Sequence, residues 1–355
     1  MKTNKRVIEI DLLRAIAVIL MVEGHTVHVF LNNDLRNPDS LVYSFWVWLR
    51  GFTAPVFMFV SGLIFTYLLL NSELKPKPER IIKGIKRGLF LIFTGYLLRF
   101  PTFNPFRIGK ITNSQILTFF SVDALHIIGL GIIFVALISM LIPKIILVRF
   151  PHYVYLISAL AVFVIGYFID DAVFVKSLPI FISSYFTNEY GSVFTLFPWL
   201  GYIFFGATIS VLIKRNLFKE KTAIVFFGMV SLLTLLLRNT FGESYFGLIA
   251  ERISFVLILF SLLKILSHKI ARLPKSVLVL GKNTLAVYIV HLVILYGSPI
   301  SLGFYQIIPS SLNLVQTVFA VLLMEVLMFY IAMLKEKNMF KIKNIFYRKT
   351  YAKSR

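Results

Sequence analysis

Long runs of apolar residues alternate along this chain with short segments rich in Lys, Arg, Asn, Ser and Pro. A helix of about 20 apolar residues crosses the hydrocarbon core of a bilayer. The pattern predicts ten spanning helices, near residues 8–31, 52–71, 85–100, 123–143, 153–169, 194–213, 222–238, 248–266, 277–297 and 312–334. We therefore expect an all-α, multi-pass integral membrane protein in which residues 1–334 form a single transmembrane domain.

The composition agrees with this pattern. The chain is 58% hydrophobic and 15% charged, whereas a soluble domain carries about 25% charged residues. Most of the 37 Lys and Arg fall in alternate loops and at the helix ends that face them. Because cytoplasmic loops are enriched in these residues, the bias places both termini in the cytoplasm. The net charge of +21 is then an orientation signal, and we expect no nucleic-acid partner.

The polar segments add three smaller predictions. The loop at 101–122 is long and aromatic enough to dip back as a short interfacial helix, whereas residues 32–50 are interpreted as an outer loop. The basic tail, residues 335–355, interleaves cations with aromatics and is expected to bind anionic membrane lipid. The first apolar run lacks a small-residue cleavage site, so it is interpreted as a retained helix. Because the chain has no cysteine, disulfides, thiolate metal sites and a cysteine nucleophile are excluded.

Arg14 and His25 lie in the first predicted span. At ~100° per residue, eleven steps bring both side chains to nearly the same face, roughly 16 Å apart along the axis. Ionisable groups at membrane depth usually mark a functional site. Asp11 and His28 share that face, as candidate substrate-binding residues. The alternative is an Asp11–Arg14 clamp at the interface, with the histidines near the outer end where water reaches.

Two further histidines are predicted at a similar depth. His126, with Asp123 one turn before it, begins the fourth span at its outer end, and His291 reaches the outer half of the ninth. Together with His25 they are candidate catalytic groups, although each can also be a histidine satisfied inside the bundle. No HxxxH or HxxE spacing occurs among them, so no metal is expected.

Cations cluster on the predicted inner side and suggest a phosphate-bearing cofactor. The candidates are Arg14, Arg80, Lys83, Lys86, Arg87, Lys282 and the adjacent Asn283. Simple positive-inside bias explains the loop cations equally well, but it explains Arg14 and Lys282 less well because both lie in apolar runs. Glu325 is an acid midway along the tenth span and a candidate by its position.

Several segments resemble known transmembrane acyltransferases. The spacing Arg14-x10-His25 is similar to the signature of the acyltransferase-3 family. Five segments resemble the heparan-α-glucosaminide N-acetyltransferase catalytic family and occur in its order: Ile8-Glu-Ile-Asp-Leu-Leu-Arg14, Phe52-Thr-Ala-Pro-Val-Phe-Met-Phe-Val-Ser-Gly62, Asp123-Ala-Leu-His-Ile-Ile-Gly-Leu-Gly131, Phe197-Pro-Trp-Leu-Gly201 and Gly281-Lys-Asn-Thr-Leu-Ala-Val-Tyr-Ile-Val-His291.

The resemblance implies a polytopic enzyme that moves an acyl group, commonly acetyl, from cytoplasmic acyl-CoA to an acceptor across the membrane. His25 would be the essential histidine, as general base or acyl carrier, and Arg14 would orient the donor. Asp123, His126 and His291 would orient the acceptor or stabilise the tetrahedral intermediate. Trp199 would suit stacking on a sugar ring, against the alternative of an interfacial aromatic belt.

One departure from the family concerns the histidine itself. Animal members of the glucosaminide family place their catalytic histidine in the loop after the first helix, and residues 32–50 contain none. The role would therefore pass to His25 or His28. No segment matches the extra lumenal domain of those members, which favours a bacterial cytoplasmic membrane. Amino sugars, surface-glycan hydroxyls and lipid-linked saccharides all remain open as acceptors.

Two other classes of function compete with this interpretation. A transporter or flippase for an anionic or lipid-linked solute also uses intramembrane charges, but the sequence shows none of the internal symmetry common in transporters. A scaffold or sensor domain would leave the intramembrane His and Arg without a use.

Overall fold

The computed structural model describes residues 8–101, 111–142, 144–169, 173–270 and 274–352. Within these ranges the regular structure is helical, with isolated bridges between extended residues. The helices are α1 (Ile8–Phe30), α2 (Leu41–Arg50), α3 (Thr53–Leu69), α4 (Pro78–Leu98), α5 (Asn113–Phe120), α6 (Ala124–Leu141), α7 (Lys144–Arg149), α8 (Pro151–Ile169), α9 (Val173–Lys176), α10 (Ile180–Ser183), α11 (Trp199–Lys214), α12 (Glu220–Phe241), α13 (Tyr245–Lys269), α14 (Lys275–Lys282), α15 (Thr284–Tyr296), α16 (Phe304–Ile307) and α17 (Leu314–Ala352).

The all-α membrane fold is confirmed. Every predicted span contains a helix, and six helical segments of the described chain are long and apolar enough to cross a membrane. A seventh is obtained if α14 and α15 count as one broken span. The number of spans and the cytoplasmic placement of the termini stay predictions.

Three segments differ in detail from the sequence-based prediction. Residues 41–50, interpreted as loop, form α2, because the stretch is apolar and free of Gly and Pro. A short helix, α5, does occur in the 101–122 loop, of which residues 102–110 lie outside the described part. The predicted tail continues α17 without a break to residue 352, and residues 353–355 lie outside the described part.

The chain divides into two compact units, one formed by residues 1–50 and 266–355 and the other by residues 51–265. In the first unit, α1 packs against α14, α15 and α17. In the second, α3, α4, α6, α8 and α11 pack together.

Glycines allow the closest helix contact in the second unit, between α3 and α11. A methyl group added at Gly62 would stand 1.9 Å from the carbonyl oxygen of Ile203, and one at Gly206 would stand 2.0 Å from that of Phe59. The two backbones therefore touch, as small residues permit between membrane helices.

The predicted ninth span, residues 277–297, is bent in the structure. It breaks at Asn283, where α14 and α15 meet at 78°. The sequence explains the break in part, because Gly281, Asn283 and Thr284 follow one another closely and all three are poor helix formers. The bend gives α15 its own N-terminus beside α1.

Candidate active site

His25 and His28 converge on one tyrosine in the first unit. They lie three residues apart on α1, so both point to the same side of the helix. Nδ1 of His25 lies 3.0 Å from the hydroxyl of Tyr296, and Nδ1 of His28 lies 2.9 Å from the same oxygen. One phenol oxygen thus bridges the two imidazoles.

The single proton of that phenol limits how the two histidines can bind it. Tyr296 can donate to at most one Nδ1, so at least one imidazole must donate its Nδ1–H to the phenol oxygen. A neutral imidazole that donates from Nδ1 has an unprotonated Nε2, which is the atom that a general base uses. The bridge therefore leaves one of the two rings ready to take up a proton at Nε2.

Tyr296 is held where α15 ends. Gly297 follows it with φ +89, a left-handed conformation that glycine adopts without strain, and its N–H closes the helix on the carbonyl of Val293. The chain then turns back into α16. The ring of Tyr305 on α16 stacks on His28 at 6.2 Å between ring centroids, with an interplanar angle of 8°.

His291 brings a third imidazole to the cluster. Its side chain is fully buried, and its ring centroid lies 5.3 Å from that of His25. Nδ1 of His291 is 2.8 Å from the carbonyl of Val287. Because a carbonyl can only accept, Nδ1 carries the proton and Nε2 is bare. That Nε2 has no hydrogen-bond partner among the described residues.

Arg36 fixes the end of α1 just beyond the histidines. Its guanidinium donates to the carbonyls of His28 and Leu31, both at 2.8 Å, and to the hydroxyl of Ser310 at 3.1 Å. The last carbonyls of a helix lack partners within it, and Arg36 satisfies that of His28 together with that of Leu31 just beyond the helix. The sequence identifies Arg36 only as one of the few cations on the predicted outer side. In the structure, Arg36 fixes the backbone that carries His28.

Two acids of the first unit, Glu23 on α1 and Glu325 on α17, interact with each other. Glu23 accepts a hydrogen bond from Nε1 of Trp46 at 2.5 Å, and the guanidinium of Arg50 lies 5.4 Å from the Trp46 ring. Glu325 of α17 is partly buried and within electrostatic reach of Glu23. One oxygen of Glu325 is buried with no hydrogen-bond partner in the described chain.

Arg14 contacts the same broken helix at its other end. Its guanidinium donates to the hydroxyl of Thr284, the first residue of α15, at 3.1 Å. His25 meets Tyr296, the last residue of α15, so α1 and α15 run in the same direction. Eleven residues on α1 and twelve on α15 correspond to about 16 and 18 Å. The two predicted groups are therefore aligned against one helix.

Lys282 and Asn283, at the break between α14 and α15, already have partners within the protein. Nζ of Lys282 lies 3.1 Å from Glu336 on α17, and the Asn283 amide donates to the carbonyl of Val279 at 3.0 Å. Asn283 is buried, whereas Lys282 is about half exposed. Beside them α14 lies against α1, since a methyl group on Gly281 would stand 2.8 Å from the carbonyl oxygen of buried Asp11.

Asp123 and His126 form a helix cap in the second unit. The Asp123 carboxylate accepts the N–H of Leu125 at 2.9 Å, and Nδ1 of His126 lies 3.1 Å from the Asp123 nitrogen and 3.0 Å from its carboxylate. Arg99 approaches the other carboxylate oxygen at 3.4 Å. This reciprocal arrangement at the start of α6 is a capping box, which gives both residues a structural use.

The His126 ring occupies a space left by Gly95. A methyl group on Gly95 would stand 2.5 Å from the ring, and Tyr96 packs edge-on against it at 4.4 Å. The Tyr96 hydroxyl is 2.8 Å from that of Tyr185. Burial, reinforced by this bond, raises the pKa of Tyr185 above its ordinary value, so its hydroxyl stays protonated. Nε2 of buried His126 has no hydrogen-bond partner among the described residues.

The candidate donor- and substrate-binding residues of the second unit are more exposed to the surroundings than Asp123 and His126. Lys86 and Arg87 are exposed on α4 and Arg80 is partly buried there. The Trp199 ring already has the guanidinium of Arg252 5.4 Å from its centroid and Phe194 edge-on at 4.8 Å. No group of three or more His, Asp or Glu in the described ranges is arranged to hold a metal ion.

Comparison with known families gives one finding. Residues 6–242 match the family model described as heparan-alpha-glucosaminide N-acetyltransferase, catalytic. A comparison with curated proteins gives no match for this chain. The matched range includes α1 with Arg14 and His25, and it includes Asp123 and His126.

Proposed function

Because the chain belongs to the heparan-alpha-glucosaminide N-acetyltransferase catalytic family, it is a membrane enzyme of acetyltransferase type, and we propose its donor, direction and active centre. The donor is acetyl-CoA from the cytoplasm. The acceptor is an amino or hydroxyl group of a sugar or glycan on the other side of the membrane, here the cytoplasmic membrane of a bacterium. The centre is the cluster of His25, His28, His291 and Tyr296.

One observation carries this proposal: α1 presents Arg14 and His25 to opposite ends of α15. Arg14 with Thr284 marks the donor end, where a cation suits the CoA phosphates. Lys282 and Asn283 lie beside it. His25 with Tyr296 marks the acceptor end, where the acetyl thioester meets the acceptor. An extended pantetheine arm fits the ~16 Å between the two ends.

The chemistry at His25 is general-base catalysis. The acceptor nitrogen or oxygen attacks the thioester carbonyl carbon as its proton moves to Nε2 of His25. The C–S bond then breaks, and the proton passes to the departing CoA sulfur. Buried His291 beside His25 orients the acceptor by accepting a hydrogen bond at its bare Nε2.

An acetyl-histidine intermediate is the other route through the same residue. In that route Nε2 of His25 attacks the thioester, CoA leaves, and the acceptor then takes the acetyl group. A burst of CoA equal to the enzyme concentration, with acceptor omitted, identifies it. Steady release only in the presence of acceptor identifies direct transfer.

The test is binding and turnover of radiolabelled acetyl-CoA by the purified chain, with glucosamine as the probe acceptor. We expect Arg14→Ala to weaken binding, and His25→Ala to bind normally but lose about 10²–10⁴-fold in turnover. His268→Ala, an exposed histidine on α13, is the matched control and should behave as wild type. Equal loss in His268→Ala and His25→Ala would contradict the assignment.

Transport of an anionic or lipid-linked solute is the second candidate, and the bent α14–α15 pair favours it because transporters bind solutes at broken helices. Wild-type protein that neither binds nor consumes acetyl-CoA or longer acyl-CoAs would leave the enzyme without its donor and make transport the first candidate. Asp123 and His126 then serve as a cap in either case, since their contacts within α6 need no substrate.

A further inference from the structure

The hydroxyl of Tyr296 has only one proton for two imidazoles. Its oxygen lies 3.0 Å from Nδ1 of His25 and 2.9 Å from Nδ1 of His28. Both distances are those of real hydrogen bonds. Since a phenol donates once, at least one of these contacts must be an imidazole N–H donating to the phenol oxygen.

The direction of the relay follows from the proposed function, on which this inference rests. A His25 that takes a proton at Nε2 must carry its resting proton on Nδ1. His25 then donates to the Tyr296 oxygen, and the Tyr296 hydroxyl donates to Nδ1 of His28. His28 in turn carries its proton on Nε2, so the two histidines are held in opposite tautomers.

We infer that Tyr296 is the positioning residue of the active centre, and that His28 acts through it by accepting its proton. In this relay Tyr296 neither gains nor loses a proton during acetyl transfer. It keeps the His25 ring oriented and keeps Nε2 of His25 unprotonated, and its oxygen stabilises the imidazolium that forms when Nε2 takes the acceptor's proton.

The surroundings of Tyr296 suit a fixed rather than a mobile hydroxyl. The ring is T-shaped to that of His25 at 5.5 Å and lies 5.9 Å from Tyr305. Tyr305 stacks on His28, so the phenol and its second imidazole are braced by the same neighbour. Arg36 holds the carbonyl of His28 at 2.8 Å, which fixes the backbone that carries the imidazole.

The direct test reads the tautomers by nitrogen NMR of the full chain labelled with ¹⁵N-histidine in lipid. Signals of His25 and His28 are assigned from single-substitution variants. We expect the proton of His25 on Nδ1 and that of His28 on Nε2 in wild type, with the His25 Nδ1–H form diminished in Tyr296→Phe. Protons on the same nitrogen of both rings in wild type would overturn the inference.

Kinetics provide the second arm. Tyr296→Phe should lower kcat about 10- to 100-fold, part of the ~10²–10⁴-fold that a general base supplies, with KM for acetyl-CoA unchanged. Tyr330→Phe, an exposed tyrosine of the same unit, should match wild type. A rise in KM with kcat unchanged would assign Tyr296 to donor binding instead and overturn its role in the relay.

His28 gives the conservative comparison. His28→Asn keeps an acceptor near the position of Nδ1 and should retain more activity than His28→Leu, which has none. Equal loss in both would count against His28 as the acceptor of the Tyr296 proton. The NMR arm needs no turnover, so it decides the relay even if wild type fails to consume acetyl-CoA, an outcome that sinks the proposed function alone.

Discussion

The contact between α3 and α11 makes a sharp prediction about Gly62. A Cβ at this position would stand 1.9 Å from the carbonyl oxygen of Ile203 and 2.7 Å from its carbonyl carbon. Non-bonded carbon and oxygen atoms do not approach closer than about 3 Å in a packed interior, so the helices would have to separate by roughly 1 Å. The obstacle is backbone and cannot rotate away.

We therefore expect Gly62→Ala to destabilise the second unit by about 3 kcal/mol, at the upper end of overpacking costs. Gly228 on α12 offers the opposite case, because a methyl group added there would have nothing within 4 Å. Gly228→Ala should instead stabilise by about 0.5–1 kcal/mol, since alanine is the better helix former. The same Gly→Ala substitution is therefore expected to lower the stability at one position and to raise it at the other.

The midpoint of thermal unfolding in detergent, followed by intrinsic tryptophan fluorescence, is measured for both variants. Thiol-reactive dyes cannot report unfolding here because the chain has no cysteine. The Gly62→Ala midpoint should fall by about 5 °C or more, while that of Gly228→Ala should rise slightly. A Gly62→Ala midpoint equal to wild type, alongside a raised one for Gly228→Ala, would refute the backbone contact.

Three further predictions concern caps and the broken helix. Asp123→Ala should cost about 1 kcal/mol through loss of the helix cap, seen as a lower unfolding midpoint, while the acetyl-CoA KM stays at its wild-type value. Gly281→Ala should push α14 away from the carbonyl of Asp11 and weaken acetyl-CoA binding, measured by equilibrium dialysis. An unchanged affinity would show that the contact between Gly281 and Asp11 does not contribute to donor binding. Thr284→Val removes a hydroxyl that accepts a hydrogen bond from Arg14 at nearly equal volume, so the affinity for acetyl-CoA should fall, whereas Thr284→Ser should keep it.

Much of the fold could be predicted from the sequence because apolar runs leave few alternatives in a membrane. The positions of α1 and α6 follow from these runs alone. The bend at Asn283 could not be predicted, since a stretch containing one Gly and one Asn is tolerated in many straight helices. The Asn283 amide also reaches the carbonyl of Ala332 on α17 at 3.4 Å, a contact between distant parts of the chain that the local sequence does not reveal.

The candidate site could be predicted in part. The sequence puts His25 and His291 at one depth, and their rings do meet at 5.3 Å. Sequence reasoning misses Tyr296 because a tyrosine at a helix end is ordinarily part of an interfacial belt. The one signal for it is that Tyr296 lies near the end of the same predicted span, 277–297, that carries His291. Which face it presents depends on how α15 packs, which periodicity does not reveal.

The bend at Asn283 also bears on the lipid around the protein. If α15 alone crosses the hydrocarbon after the bend, its 13 residues span about 20 Å, against a core of about 30 Å. A short crossing segment is matched by a bilayer that thins around it. The length of the membrane lipids' acyl chains should then affect this protein. Shorter lipid tails relieve the mismatch at α15, and longer tails strain the helix that carries Tyr296.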